Sequence, residues 1–170
     1  MQTMSQNSAA KWIATVAGAG FLRPAPGTWG SAVAVGLALI LHYLGGFPAL
    51  LIATLLVFPI GWWATAVYTQ HGDDHDPSEV VIDEVAGQWI ALLVTSYGAW
   101  RMDADPLALY PGWIAGFLFF RLFDITTPNL IGWADRRGDA LGVMLDDVIA
   151  GVYAAICTGL LAALFHVVIL

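Results

Sequence analysis

The sequence predicts an all-α, polytopic membrane bundle of about five hydrophobic helices, some of them short, behind an N-terminal interfacial helix. Three observations carry this. Hydrophobic residues fill 59% of the 170 positions and charged residues 11%, against about 45–50% and 25% in soluble domains. Mean hydropathy is +0.74, which leaves too little polar side chain to clothe a soluble globule. The apolar runs also approach the roughly 20 residues that a membrane-spanning helix needs. The same composition argues against disorder. A single cysteine and the lack of a Gly-x-y period exclude a disulfide scaffold and collagen. The length suits one domain over residues 1–170, with 1–10 expected to be flexible.

The elements follow in order. The first ten residues are polar and uncharged, without a basic stretch leading into an apolar one. No cleavable signal is therefore expected, and the mature chain is expected to begin here. Lys11 to Phe21 is too short to cross and is expected in the interface, anchored by Trp12 and Phe21. Ser31 to Leu44 is a first helix, closed by Gly45-Gly46. Phe47 to Tyr68 follows, with a kink expected at Pro59. Val85 to Trp100, Leu107 to Phe123 and Val148 to Leu170 complete the set, and Cys157 in the last reads as a small buried hydrophobe. Gly112/Gly116, Gly151/Ala155 and Gly159/Ala163 are spaced to let helices approach closely.

Six Lys and Arg against thirteen Asp and Glu give a net charge of −7, which repels nucleic acid and argues against it as a partner. With five crossings, Lys11, Arg23, Arg121, Arg136 and Arg137 fall on one side, the cytoplasmic one by the positive-inside rule. Asp73, Asp74, Asp76, Glu79, Asp83, Glu84, Asp124, Asp135, Asp139, Asp146 and Asp147 share that face, while Asp103 and Asp105 lie opposite. A site is expected on the cytoplasmic face.

Three polar blocks supply it. The block Arg23 to Ser31 reads two ways: a Pro/Gly turn with Thr28 or Ser31 as helix cap, or an anion site. For the second, Gly27 and Gly30 admit close backbone approach, Thr28 and Ser31 offer hydroxyls, and Arg23 adds charge. It has no P-loop lysine. In the block His71 to Glu84, Asp76, Pro77 and Glu79 match N-cap, N1 and N3 of a following helix. That leaves Asp83 and Glu84 two turns in, where a carboxylate is costly unless paired or metal-bound. Glu79 and Asp83, four apart, suit a hard divalent cation. His71 and His75 read as surface histidines in preference to zinc ligands. The third block brings Arg121 and Asp124, three apart, then Asp146 and Asp147 at the mouth of the last helix, with Asp146 a possible cap.

So many acids repel each other and any phosphate, and a divalent metal reverses that sign. Oxygen-only donors point to Mg2+, with Glu79, Asp83, Glu84, Asp124, Asp146 and Asp147 as the expected ligand set. Asp83, Glu84, Asp124 and Asp147 are the expected catalytic acids. Arg23, Gly27, Thr28, Gly30, Ser31 and Arg121 are the expected phosphate-binding group. The chemistry expected is metal-dependent phosphoryl transfer at the interface, on a substrate anchored in the bilayer. A lipid phosphotransferase is the alternative enzyme. The non-enzymatic alternative is a small transporter or assembly subunit, with the acids as an ion pathway near the midplane.

In order and spacing, three blocks resemble the bacterial phosphatidylglycerophosphatase A family: Arg23 to Ser31, Asp76 to Glu84, and Phe120 to Asp124 through Gly142 to Gly151. The resemblance implies an all-α protein of the bacterial cytoplasmic (inner) membrane. It also implies removal, with Mg2+, of the terminal phosphate of phosphatidylglycerol phosphate. Two departures stand out. Thr127-Pro128-Asn129-Leu130-Ile131 replaces the family's Lys-Pro-x-Pro-Ile, and Asp139-Ala140 replaces a Gly-Gly pair. Arg136 or Arg137 is the candidate replacement for the missing lysine.

Overall fold

Two adjacent glycines decide how the first half of the chain is laid out. In a computed structural model describing residues 2–70 and 76–169, α1 (Gln2–Ala14) leads through a turn and a 3-10 helix, Ala19–Phe21, into α2 (Pro26–Thr69). At 1.5 Å per residue a straight helix of 44 residues would measure about 66 Å, twice a ~30 Å hydrocarbon core. It is interrupted at Gly45 and Gly46, and Gly46 has φ 65° and ψ −159°, a conformation that favours glycine. The break divides α2 into arm one (26–44) and arm two (47–69).

α3 (Ile82–Arg101) shows the direction of each arm. Along arm one, Ser31 meets Glu84, the Ala34 carbonyl accepts the Trp89 indole N–H at 2.9 Å, and His42 meets Ser96 at 2.7 Å. The numbers rise together, so arm one runs parallel to α3. Phe47 meets Tyr97 edge-on, with centroids 5.2 Å apart, while Gly61 faces Ile82, so arm two runs back. The chain reverses at the glycine pair, and the backbone stays helical through Pro59, where the sequence placed a kink.

A 3-10 turn, Pro106–Leu109, precedes α4 (Tyr110–Thr126), and α5 (Leu130–Asp135) precedes α6 (Ala140–Ile169). Small residues set the spacing here. Gly112 and Gly116 lie against Thr95 and Leu92, while Gly151 lies against the backbone of Gly87 and Gly159 faces Val94. These contacts make α4 antiparallel and α6 parallel to α3. Three helical segments, Pro26–Thr69, Pro106–Thr126 and Ala140–Val168, are long and apolar enough to cross a membrane. α3 is the buried centre, with Val85, Ala86, Trp89 and Leu92 in the core.

Several boundaries differ from the sequence reading. Helix runs from Gln2, through the segment expected to be flexible, and Ala10 and Ala14 are buried. The interfacial helix expected at Lys11 to Phe21 is instead the end of α1, a turn and a 3-10 helix. α3 does not begin with Asp76 as cap. Residues 78 and 79 form a turn and Val81 is the N-cap. The Val81 N–H donates to the Ala14 carbonyl at 2.8 Å and Tyr68 donates to Glu79 at 3.1 Å, so tertiary bonds outweigh the local capping pattern. Asp83 and Glu84 therefore lie in the first turn of α3, where the helix dipole favours negative charge. Conversely, α6 starts at Ala140, not Val148, with Asp139 as its cap: its carboxylate accepts the Gly142 N–H at 2.7 Å. Asp146 is no cap, and Asp146 and Asp147 sit about two turns inside the helix. His71, His75, Asp73 and Asp74 lie outside the described residues.

Candidate active site

The alternation of directions brings one end of each element together. The start of arm one, the start of α3, the end of α4 and the second turn of α6 surround a cavity of about 300 Å3. Its walls include Pro26, Gly27, Asp76, Ser78, Asp83, Glu84, Arg121, Asp124, Asp146 and Asp147. Three helices thus contribute acids to one hollow: α3 gives Asp83 and Glu84, α4 gives Asp124, and α6 gives Asp146 and Asp147.

Arg121 organises the polar end. Its Nη1 pairs with Glu84, with Asp124 Oδ2 at 2.7 Å, and donates to the Ser31 hydroxyl at 3.3 Å. Ser31 is fully buried, and its single proton has two acceptors in reach, the Glu84 carboxylate at 2.9 Å and the Gly27 carbonyl at 3.0 Å. A side chain at Gly27 would collide with the Glu84 carboxylate, so the glycine provides the room that Glu84 occupies. The Arg121 Nε–H is buried and has no partner among the described residues.

The two acid pairs are built alike. Asp83 accepts the N–H of Glu84 at 2.9 Å, and Asp146 accepts the N–H of Asp147 at 2.8 Å. In each pair the first carboxylate is pinned by the backbone of the next residue, which fixes its direction. Asp83 and Asp147 are buried, 8% and 4% exposed, so each needs a proton, a counter-charge or a metal. Glu84, Asp124 and Asp147 each present an oxygen within 4.8 Å of the others'. Oxygen donors at that spacing on three helices fit a hard divalent cation.

The other predicted residues divide. Gly27, Ser31 and Arg121 meet at the cavity. Gly30 is buried against Val81, and Thr28 is half-buried and does not line the hollow. Arg23 is exposed at the rim, where it donates to Ser78 at 3.3 Å. Glu79 also lies outside the lining, held by Tyr68. Arg137 is paired with Asp139 at 3.0 Å, so of the two arginines only Arg136 lacks an ion pair among the described residues. The sequence reading missed Ser78 and kept Asp76 as a cap, whereas both line the cavity. Their position between the acids of one block was the available signal.

Comparison with known proteins shows the family. The family model for phosphatidylglycerophosphatase A matches residues 12–162. A phosphatidylglycerophosphatase A of Haemophilus influenzae is 37% identical over 82% of this chain and 80% of its own. That of Escherichia coli K12 is 30% identical over 81% and 74%. A Bacteroides thetaiotaomicron protein named as a putative phosphatidylinositol-3-phosphatase is 39% identical over 85% and 87%. No solved structure matches the chain. The matched span takes in the whole cavity, and the chain belongs to the phosphatidylglycerophosphatase A family of phosphatases.

Proposed function

We propose that this protein hydrolyses the terminal phosphomonoester of phosphatidylglycerol phosphate with Mg2+, on the cytoplasmic face of the bacterial inner membrane. The observation that supports it best is the convergence of Glu84, Asp124 and Asp147 around Arg121 at one end of an apolar bundle. An acidic hollow repels a doubly charged phosphate unless a cation intervenes. Glu84, Asp124 and Asp147 would hold Mg2+, with Asp83 and Asp146 beside them and Glu79 set apart. The bound ion supplies charge neutralisation and Lewis-acid activation of the phosphoryl group.

The remaining work falls to the chain. Arg121, in the cavity wall, offers a guanidinium to the phosphate. The first-turn N–H of α2 at Gly27, which lines the cavity, lies outside the helix's own ladder and favours an anion. Ser31 holds Glu84 in place from arm one. The apolar helix faces below the cavity keep the acyl chains in lipid while the headgroup reaches the acids. An ion pathway would need acids spread along the bundle; these gather at one end, which favours interfacial chemistry.

The test is phosphate release from phosphatidylglycerol phosphate by purified protein, with and without Mg2+, and with phosphatidylinositol 3-phosphate as a second substrate. Release from the first that depends on Mg2+ is the expected result. Turnover of the second alone would move the substrate assignment to the chemistry named for the Bacteroides relative. No release from either would remove the reading.

A further inference from the structure

A second cavity, of about 400 Å3, lies between α1 and the end of arm two, lined by Asn7, Lys11, Val67 and Tyr68. It shares no residue with the acidic hollow. Lys11 is the single lysine of the chain, and Asn7, one turn earlier on α1, lies on the same helical face. The Lys11 ammonium sits 5.4 Å from the centre of the Phe21 ring, and no ion pair engages it among the described residues. Beside it Trp12, Phe21 and Leu22 are 63%, 48% and 46% exposed. A lysine head among uncovered aromatics is the arrangement of a membrane–water boundary, with rings at headgroup level and charge facing phosphate.

We propose that this cavity binds the headgroup of one anionic phospholipid, its phosphodiester on Lys11 and its acyl chains along Trp12 and Phe21. Charge selects the occupant. One ammonium balances the one negative charge of a phosphodiester, whereas the doubly charged phosphomonoester suits the acidic cavity and its cation. Hydrogen bonding narrows the headgroup. Tyr68 already donates its proton to Glu79, so toward the cavity its oxygen is an acceptor, and the Asn7 amide oxygen is another. A headgroup with hydroxyl donors, such as glycerol, satisfies both. The site also adjoins the segment that starts α3: the Ala14 carbonyl at the end of α1 holds Val81, two residues before Asp83. An occupant there braces α1 against the strap that leads into the first two acids.

The experiment uses full-length, delipidated protein in detergent and native mass spectrometry. The probes are dioleoylphosphatidylglycerol, dioleoylphosphatidylcholine and inorganic phosphate. One phosphatidylglycerol is expected to be retained in preference to phosphatidylcholine. Lys11→Gln should weaken that lipid about fivefold, the worth of one lysine near an anionic surface, and leave phosphatidylcholine unchanged. Arg121→Ala, which alters the acidic cavity, should retain the lipid. Unchanged retention in Lys11→Gln, loss in Arg121→Ala, or displacement by inorganic phosphate alone would each overturn the proposal. None of these readouts requires turnover, so the site stands or falls apart from the phosphatase reading.

Discussion

Ser31 on α2 and Glu84 on α3 are joined by a hydrogen bond of 2.9 Å across 53 residues of sequence. It is one of the bonds that hold the start of arm one against the acidic wall. A hydrogen bond to a charged group contributes about 1.5–3 kcal/mol, so Ser31→Ala should lower kcat roughly tenfold to a hundredfold by that measure, and Ser31→Thr should restore part of it. Thr28→Val, outside the cavity lining, should leave phosphate release within about twofold, as expected for a substitution that removes no contact there.

Arg121→Ala removes the guanidinium that meets both Glu84 and Asp124. Loss of a preorganised donor predicts a fall in turnover of about 10²–10³-fold. Arg121→Lys should recover little, because an ammonium cannot reproduce the planar fork. Equal activity in the lysine variant would show that charge alone suffices.

Glu84→Gln, Asp124→Asn and Asp147→Asn should each abolish metal-dependent turnover, and a chelator should do the same to the unaltered protein until Mg2+ is restored. Asp83→Asn is the sharper probe. Its side-chain oxygen can still accept the Glu84 N–H, so the local turn survives and only charge is lost. A folded Asp83→Asn protein that turns over normally would remove Asp83 from the catalytic set.

Asp139→Ala should cost about 1 kcal/mol of stability, the usual worth of a helix cap, without changing kcat. The Arg137 guanidinium, and then the Gly142 N–H, hold the Asp139 carboxyl below its ordinary range. A lowered folded-state pKa means that this contribution is complete above the unfolded value of 3.8 and fades as pH falls through the folded value. Thermal melts at neutral and strongly acidic pH should therefore converge for variant and parent.

For orientation, cysteines are introduced singly into a Cys157→Ser background. Arg136→Cys, beside the acidic cavity's end of the bundle, should resist an impermeant thiol reagent in intact cells, and Asp103→Cys, at the other end, should label. The opposite pattern would invert the protein in the membrane.

The sequence made the bundle readable because each strong signal was local and repeated: apolar runs, a glycine pair at a reversal, acids gathered in three blocks. The family resemblance was legible for the same reason, since its blocks are contiguous. What escaped was set by partners distant in sequence. Asp76, Pro77 and Glu79 satisfy a capping rule, yet α3 starts at Ile82 because Ala14 takes the Val81 N–H and Tyr68 takes Glu79. Asp139 looked like a mere replacement for glycine and is the cap of α6. Arg121 with Asp124 was visible as an i,i+3 pair, but Glu84 as the second partner of Arg121 depends on how α3 and α4 pack.

α3 holds Asp83, Gln88, Thr95 and Ser96 in buried positions and is not among the segments apolar enough to cross a membrane by themselves. Insertion machinery that weighs one segment at a time gains little from such a helix. The hairpin of α2 emerges from the ribosome before it and already offers the Ala34 carbonyl to Trp89 and His42 to Ser96. The packing therefore predicts an order of insertion, in which the hairpin enters first and serves as a template. The helix bearing the first two acids then follows by exchanging lipid for protein.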